Sequence, residues 1–336
     1  MTASRNVRSR AILGGVALAL AFAPAAMADS TAIADSSATR VFTLTPSTHG
    51  NPEGIASAGF GFFFVGATGD GTIYRGTLGN PNVTEFIPGA TGKSAVGLKV
   101  ARGRLYVAGG ATGDITVYDL FSRRQVALFS TGTGGFLNDL VVLANGDVFV
   151  TDSFRPTLWH VTAAQVRAGS GTPEAISVAP EIVYTAGAFN VNGIVALDQR
   201  TLIVVQSNTG TLFRIDLERR GRQIRALDGD PVVGGDGMLL DRGRLVVVTG
   251  NQLTFVRLDR RASRSTVVGS LTDPTLRGPS TVARVGDRFL VVNADFATST
   301  PPFTVSGLAR PRGDNGDDGD DAGDDRGDGD QDDEVR

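Results

Sequence analysis

Gly103-Arg104-Leu105-Tyr106-Val107 is a turn glycine and a charged residue leading a short apolar, strand-prone run, and it has five counterparts along the chain. They are Gly61-Phe62-Phe63-Phe64-Val65, Gly146-Asp147-Val148-Phe149-Val150, Arg200-Thr201-Leu202-Ile203-Val204-Val205, Gly243-Arg244-Leu245-Val246-Val247 and Asp287-Arg288-Phe289-Leu290-Val291. Aligned on Phe64, Tyr106, Phe149, Val204, Val246 and Leu290, successive copies lie 42, 43, 55, 42 and 44 residues apart. Short strands recurring at such a period are the signature of a β-propeller with four strands per blade. The chain therefore reads as all-β, a six-bladed β-propeller with four-stranded blades.

Working outward, each copy follows a short apolar strand and precedes a third strand such as Thr72-Ile73-Tyr74-Arg75 or Leu212-Phe213-Arg214-Ile215. A fourth strand follows, as in Val83-Thr84-Glu85-Phe86. The long step holds Thr162 to Gly169, good helix formers ending at glycine, which predicts an inserted helical turn. The last copy is short of partners, with only Phe303-Thr304-Val305 after it, so Arg40-Val41-Phe42-Thr43-Leu44 is expected to supply its outer strand and close the ring. An open array would leave sheet edges exposed.

The 336 residues contain no cysteine, which excludes disulfide scaffolds, zinc fingers and thiol nucleophiles. The net charge of −3 is unevenly placed: residues 313–336 carry −10, residues 1–28 carry +3, and the body between them carries +4. That bias is too weak to predict nucleic acid as a partner. Residues 1–28 read as a secretory signal: Arg5, Arg8 and Arg10, an apolar run from Ala11 to about Phe22, and Ala26-Met27-Ala28 as the cleavage motif. The alternative, a membrane anchor, needs about 20 apolar residues. The expected product is a secreted, monomeric body, residues 29–308, free of membrane. The Gly/Asp-rich acidic segment within 309–336 has almost nothing to bury and is expected to be a disordered tail.

Each innermost strand opens with a polar or glycine-containing step: Glu53-Gly54, Val96-Gly97, Asn138-Asp139, Asn192-Gly193, Asp236-Gly237 and Ser280-Thr281. Their first residues are spaced 43, 42, 54, 44 and 44 apart, in step with the marker strands, so they should form one layer around the axis. Glu53, Asn138, Asn192 and Asp236 offer oxygen donors without imidazole or thiolate, a set suited to a hard divalent cation, with Ca²⁺ the expected ion. Asn-Gly and Asp-Gly are also common turn dipeptides, which is the competing reading of each alone.

Pro52-Glu53-Gly54, Leu137-Asn138-Asp139, Val191-Asn192-Gly193 and Gly235-Asp236-Gly237-Met238 resemble the channel motifs of the SMP-30/gluconolactonase family of six-bladed propellers. The resemblance runs from about Thr39 to Val305 and implies that Glu53, Asn192 and Asp236 ligate a catalytic divalent ion, usually calcium, with Asn138 a further ligand or a substrate-orienting amide. It departs from the family at Gly54-Ile55-Ala56, where a proline and a nearby tryptophan are usual.

The chemistry expected is hydrolysis of a small-molecule lactone or ester, with Asp236 as base or nucleophile and Arg155 steadying an anionic product. Thr68, Asp152 to Arg155, Gln206 to Asn208, Asn251 and Asn293 to Asp295 should line the mouth. A serine–histidine hydrolase is disfavoured, because His49 and His160 stand near no Gly-x-Ser-x-Gly elbow. The competing class is a non-catalytic binding propeller with at most a structural ion.

Overall fold

The structure, a computed structural model, describes residues 39–217 and 223–311. The expected leader, residues 1–28, and residues 312–336 of the expected tail lie outside the described residues. Strands fall into consecutive antiparallel units of the expected kind. The second unit, for example, runs Leu98–Ala101, Arg104–Ala108, Asp114–Asp119 and Gln125–Ser130, paired in that order. The third begins with Leu137–Val142 and Val148–Asp152, the fourth with Val191–Ala196 and Thr201–Gln206, and the fifth with Gly235–Asp241 and Arg244–Thr249.

The marker segments are each unit's second strand, and they are buried almost end to end, as in Val148–Asp152 and Thr201–Gln206. Both faces of these strands are covered by neighbouring units, so their side chains form an apolar run instead of an alternating one. One such interface packs Tyr106 and Phe129 of the second unit against Leu140 and Val150 of the third. The inserted helix is present as Ala163–Ala168, with Thr162 and Gln165 forming a capping box and Gly169 closing it at φ 74°.

The first and last units share one eight-stranded sheet, with Arg40–Thr45 at the junction. That strand pairs antiparallel with Thr304–Ala309, Phe42 opposite Val305, as the sequence predicts. It also pairs in parallel with Asn80–Ile87 of the first unit, Leu44 opposite Val83, so its second edge is covered too. The fifth unit departs from four strands: the chain arriving from the fourth unit adds a two-residue parallel strand, Asp228–Gly229, to its outer edge. The last strand ends at Ala309, and Arg310 beyond it bonds Asp241 at 2.6 Å, so folded chain continues past residue 308. The inner strands touch in cyclic order from Pro52–Gly59 through to Pro279–Val285 and back, which is a β-propeller arrangement.

Candidate functional site

Five inner strands break register at the same place. In the first unit Pro52 faces Ala67 and Ile55 faces Val65, so three steps on one strand match two on the other. The same offset separates Leu137 from Leu140, Val191 from Ile194, Gly235 from Met238 and Pro279 from Val282. The extra residues are the polar steps themselves. They are β-bulges inside strands, a device that re-aims side chains and is common beside active sites. In the second unit, where the step is Val96-Gly97, the strand begins only at Leu98.

The second position of most steps is glycine because the next unit comes too close for a side chain. A Cβ at Gly54 would lie 2.0 Å from Val96 O, at Gly97 2.3 Å from Asn138 O, and at Gly193 2.3 Å from Asp236 O. Hydroxyls tie the same backbone: Ser280 Oγ donates to Glu53 O at 2.7 Å and Thr151 Oγ1 to Asn192 O at 2.6 Å. The ring of first-position residues is thus positioned by contacts between units.

Glu53, Asn138 and Asn192 are buried, and Asp236 is partly so as a residue. Glu53 Oε2, Asn192 Oδ1 and Asp236 Oδ1 are each inaccessible and accept no hydrogen bond. Oxygens left so in a folded protein call for an ion, a water or a proton. Burial first, then the charges of Asp236 and Asp139, push the Glu53 carboxyl well above the usual carboxylate range, against the pull of Lys99. Burial pushes Asp236 up to about 7; the Asn192 amide draws it down and the Asp139 charge adds to the rise. Glu53 and Asp236, from the first and fifth units, are therefore within each other's field. Asn138 donates from Nδ2 to Ser153 Oγ at 3.1 Å, and Ser153 Oγ donates to Val191 O at 2.8 Å.

Sequence reasoning missed Asp139 and Lys99. Asp139 occupies a position that is glycine in the first, second, fourth and fifth units, and that substitution is the signal available in the sequence. It is buried, and its Oδ1 meets Lys99 Nζ at 3.2 Å. Among the described residues no group of three or more Asp, Glu, His or Cys side chains stands together as a metal site; what suits a hard divalent cation is the chemistry of the unpartnered donors on Glu53, Asn192 and Asp236, which are all oxygens.

The mouth differs from a freely polar rim. Asp152 is fully buried; its Oδ1 accepts the backbone N–H groups of Phe136, Phe154 and Arg155, and its Oδ2 accepts Arg155 Nε at 2.6 Å and Trp159 Nε1 at 3.2 Å. Burial raises this carboxyl, but those donors outweigh it and hold Asp152 below the ordinary carboxylate range. Arg155, assigned to substrate from sequence, also donates to Thr131 O at 2.8 Å and Thr131 Oγ1 at 2.9 Å, and its guanidinium lies over the Trp159 ring. Asn293 likewise accepts Arg277 N and donates to Thr275 O. Of the two histidines, His49 pairs with Asp70 at 2.6 Å and His160 stacks on Phe149 at 4.5 Å.

No protein-family profile and no curated protein matches this chain. Solved structures do resemble it in fold. A protein of unknown function from Bacteroides thetaiotaomicron aligns with TM-score 0.60 at 13% identity, over 81% of this chain and 76% of its own. A luciferin-regenerating enzyme aligns with TM-score 0.56 at 14% identity, over 82% of this chain and 96% of its own. Hydrazine synthase from Kuenenia stuttgartiensis aligns with TM-score 0.54 at 14% identity, over 77% and 84%. Such identities establish a shared propeller fold and nothing about chemistry.

Proposed function

We propose that this chain is a secreted, monomeric, six-bladed propeller hydrolase of the SMP-30/gluconolactonase type, acting on a lactone or ester with a calcium ion in its channel. The observation that carries the proposal is the set of buried oxygens without partners on Glu53, Asn192 and Asp236, contributed by separate units. These three, with Asn138, would hold the ion, which when bound supplies Lewis-acid polarisation of the substrate carbonyl. Asp236 takes the proton of the attacking water as the new carbon–oxygen bond forms. It then returns that proton to the leaving alkoxide as the acyl–oxygen bond breaks. Arg155 serves here through Asp152, holding the loop that carries Ser153 against Asn138.

The test is a panel of lactones and aryl esters, assayed with calcium and with chelator. Asp236→Asn is expected to lower kcat by about 100-fold or more with an unchanged circular dichroism spectrum. Calcium at about 100 times its Kd should raise the Tm of the wild type by roughly 5–10 °C. No Tm shift, together with no divalent ion by elemental analysis, would overturn the channel site.

A second reading, a binding propeller with the ion as a structural pin, draws support from the mouth, where Arg155 and Asn293 are engaged by the protein itself. A wild type inert on the panel but stabilised by calcium would select it.

A further inference from the structure

Three phenylalanines stand close in sequence to the channel residues of the third and fourth units. Phe136 precedes Asn138 by two residues, Phe154 follows Ser153, and Phe189 precedes Asn192 by three. Their rings form one closed group: Phe136 to Phe154 at 5.6 Å, Phe154 to Phe189 at 5.0 Å, and Phe136 to Phe189 at 5.2 Å with planes 89° apart. Phe154 is 44% exposed and Phe189 47% exposed. Backbone bonds hold the three at one end of the sheet, since Ser153 N donates to Phe136 O and Asn190 N to Ser153 O. Ser153 Oγ links the same loops to Asn138 and to the strand bearing Asn192. Val233, just before the Gly235-Asp236 step, and Phe296, just after Asp295, are exposed at the same end of the fifth and last units.

We infer that Phe136, Phe154 and Phe189 form a shelf that seats the aromatic, non-reacting part of the substrate, so that the proposed hydrolase takes aryl-bearing esters or lactones in preference to hydrophilic sugar lactones. The inference rests on the hydrolase reading for the reaction and on the ring geometry for the ligand. Three tilted rings offer both a face and an edge to a fourth, the arrangement aromatic groups prefer at centroid separations of about 4.5–7 Å. A sugar would need free donors and acceptors beside the rings. Asn190 and Asp152, the buried polar side chains in these loops, are engaged by the protein: Asn190 Nδ2 donates to Ser153 O, Thr185 O and Ala188 O, its Oδ1 accepts Thr185 N, and Asp152 takes the bonds described above. Water covering such a surface is released when an apolar group settles there.

The experiment has two arms on the mature protein. In the first, kcat/KM is compared for phenylacetyl and acetyl esters of one alcohol. The wild type should favour the phenylacetyl ester by at least tenfold, and Phe154→Ala/Phe189→Ala should bring the ratio close to one while the calcium-induced Tm shift stays as in wild type. In the second, binding of the neutral amide N-benzylacetamide is measured by calorimetry on chelator-treated protein. Binding that the double variant loses supports the shelf even if no ester is hydrolysed, in which case only the hydrolase reading fails. Hydrolysis without aryl preference, a preference for sugar lactones, or absence of amide binding by the wild type overturns the inference. Self-association that disappears in the double variant, with no amide binding, would assign the rings to a second copy of this chain and overturn it as well.

Discussion

Glu53 and Asp236 each place a buried carboxylate oxygen where the chain itself offers no donor, and the cost of doing so depends on pH. Both carboxyls are raised in the folded state, Asp236 to about 7. Unfolded, they titrate near 4. Between those values the folded, metal-free protein binds more protons than the unfolded chain, so its stability falls as pH rises from about 4 through 7. The expected outcome in chelator is a urea midpoint lower at pH 8 than at pH 5. Asp236→Asn should remove part of that decline, stabilising the metal-free protein at pH 8 by roughly 2 kcal/mol once partial exposure is allowed for, while abolishing stabilisation by calcium. A destabilised Asn variant at pH 8 in chelator would contradict it. At this scale the sequence shows Glu53, Asn138, Asn192 and Asp236 because they recur at repeat spacing. Lys99 and the engagement of Arg155 are not legible, because a charged side chain's partner is chosen by neighbouring units: Asp139 for the one, Asp152, Thr131 and Trp159 for the other.

An element-scale feature, the bulge, converts a common dipeptide into a site. Asn192-Gly193 and Asp236-Gly237 resemble turn sequences, and nothing local distinguishes a turn from a two-residue bulge inside a strand. The difference comes from the adjacent unit, whose backbone lies against the glycine. Strand order and the capped helix are legible for the opposite reason, since apolar runs, turn glycines and the Thr162/Gln165 box act within a few residues. Gly193→Ala would put a methyl 2.3 Å from Asp236 O, forcing the fourth and fifth units apart. The expected cost is about 1–3 kcal/mol of stability, with calcium binding weakened because Asn192 and Asp236 move together with the displaced backbone. Gly79→Ala is the control: a Cβ there meets nothing within 4 Å, and the change should stay within about 0.5 kcal/mol. Chemical denaturation and calcium titration of both variants check the pair, and equal effects would show that the close approach between units does not govern the site.

For the whole molecule, the question is what keeps donors from distant parts of the chain around one axis. The junction strand Arg40–Thr45 ties chain from before the first unit to the last by a run of backbone pairs, and Ser47 and Asn51 add side-chain bonds to Phe303 N and Ala294 O. The sequence reveals its antiparallel side, because the last unit lacks an outer strand. Its parallel side toward Asn80–Ile87 depends on how far the ring turns before it closes, which no local pattern records. Phe42 is its anchor, buried with its ring 5.4 Å from that of Phe63, edge to face, in the cluster that also holds Leu290 and Val305. Phe42→Ala should cost about 3–5 kcal/mol, a fall in Tm of roughly 10 °C for a body of this size. Because Glu53 belongs to the first unit and Asp236 to the fifth, loosening this seam should also weaken calcium binding, although Phe42 touches neither. Deleting residues 313–336, which offer almost no apolar side chain, should leave both Tm and calcium affinity within error. A Phe42→Ala protein that loses stability yet binds calcium as tightly as wild type would show that the inner strands hold the donors without help from ring closure.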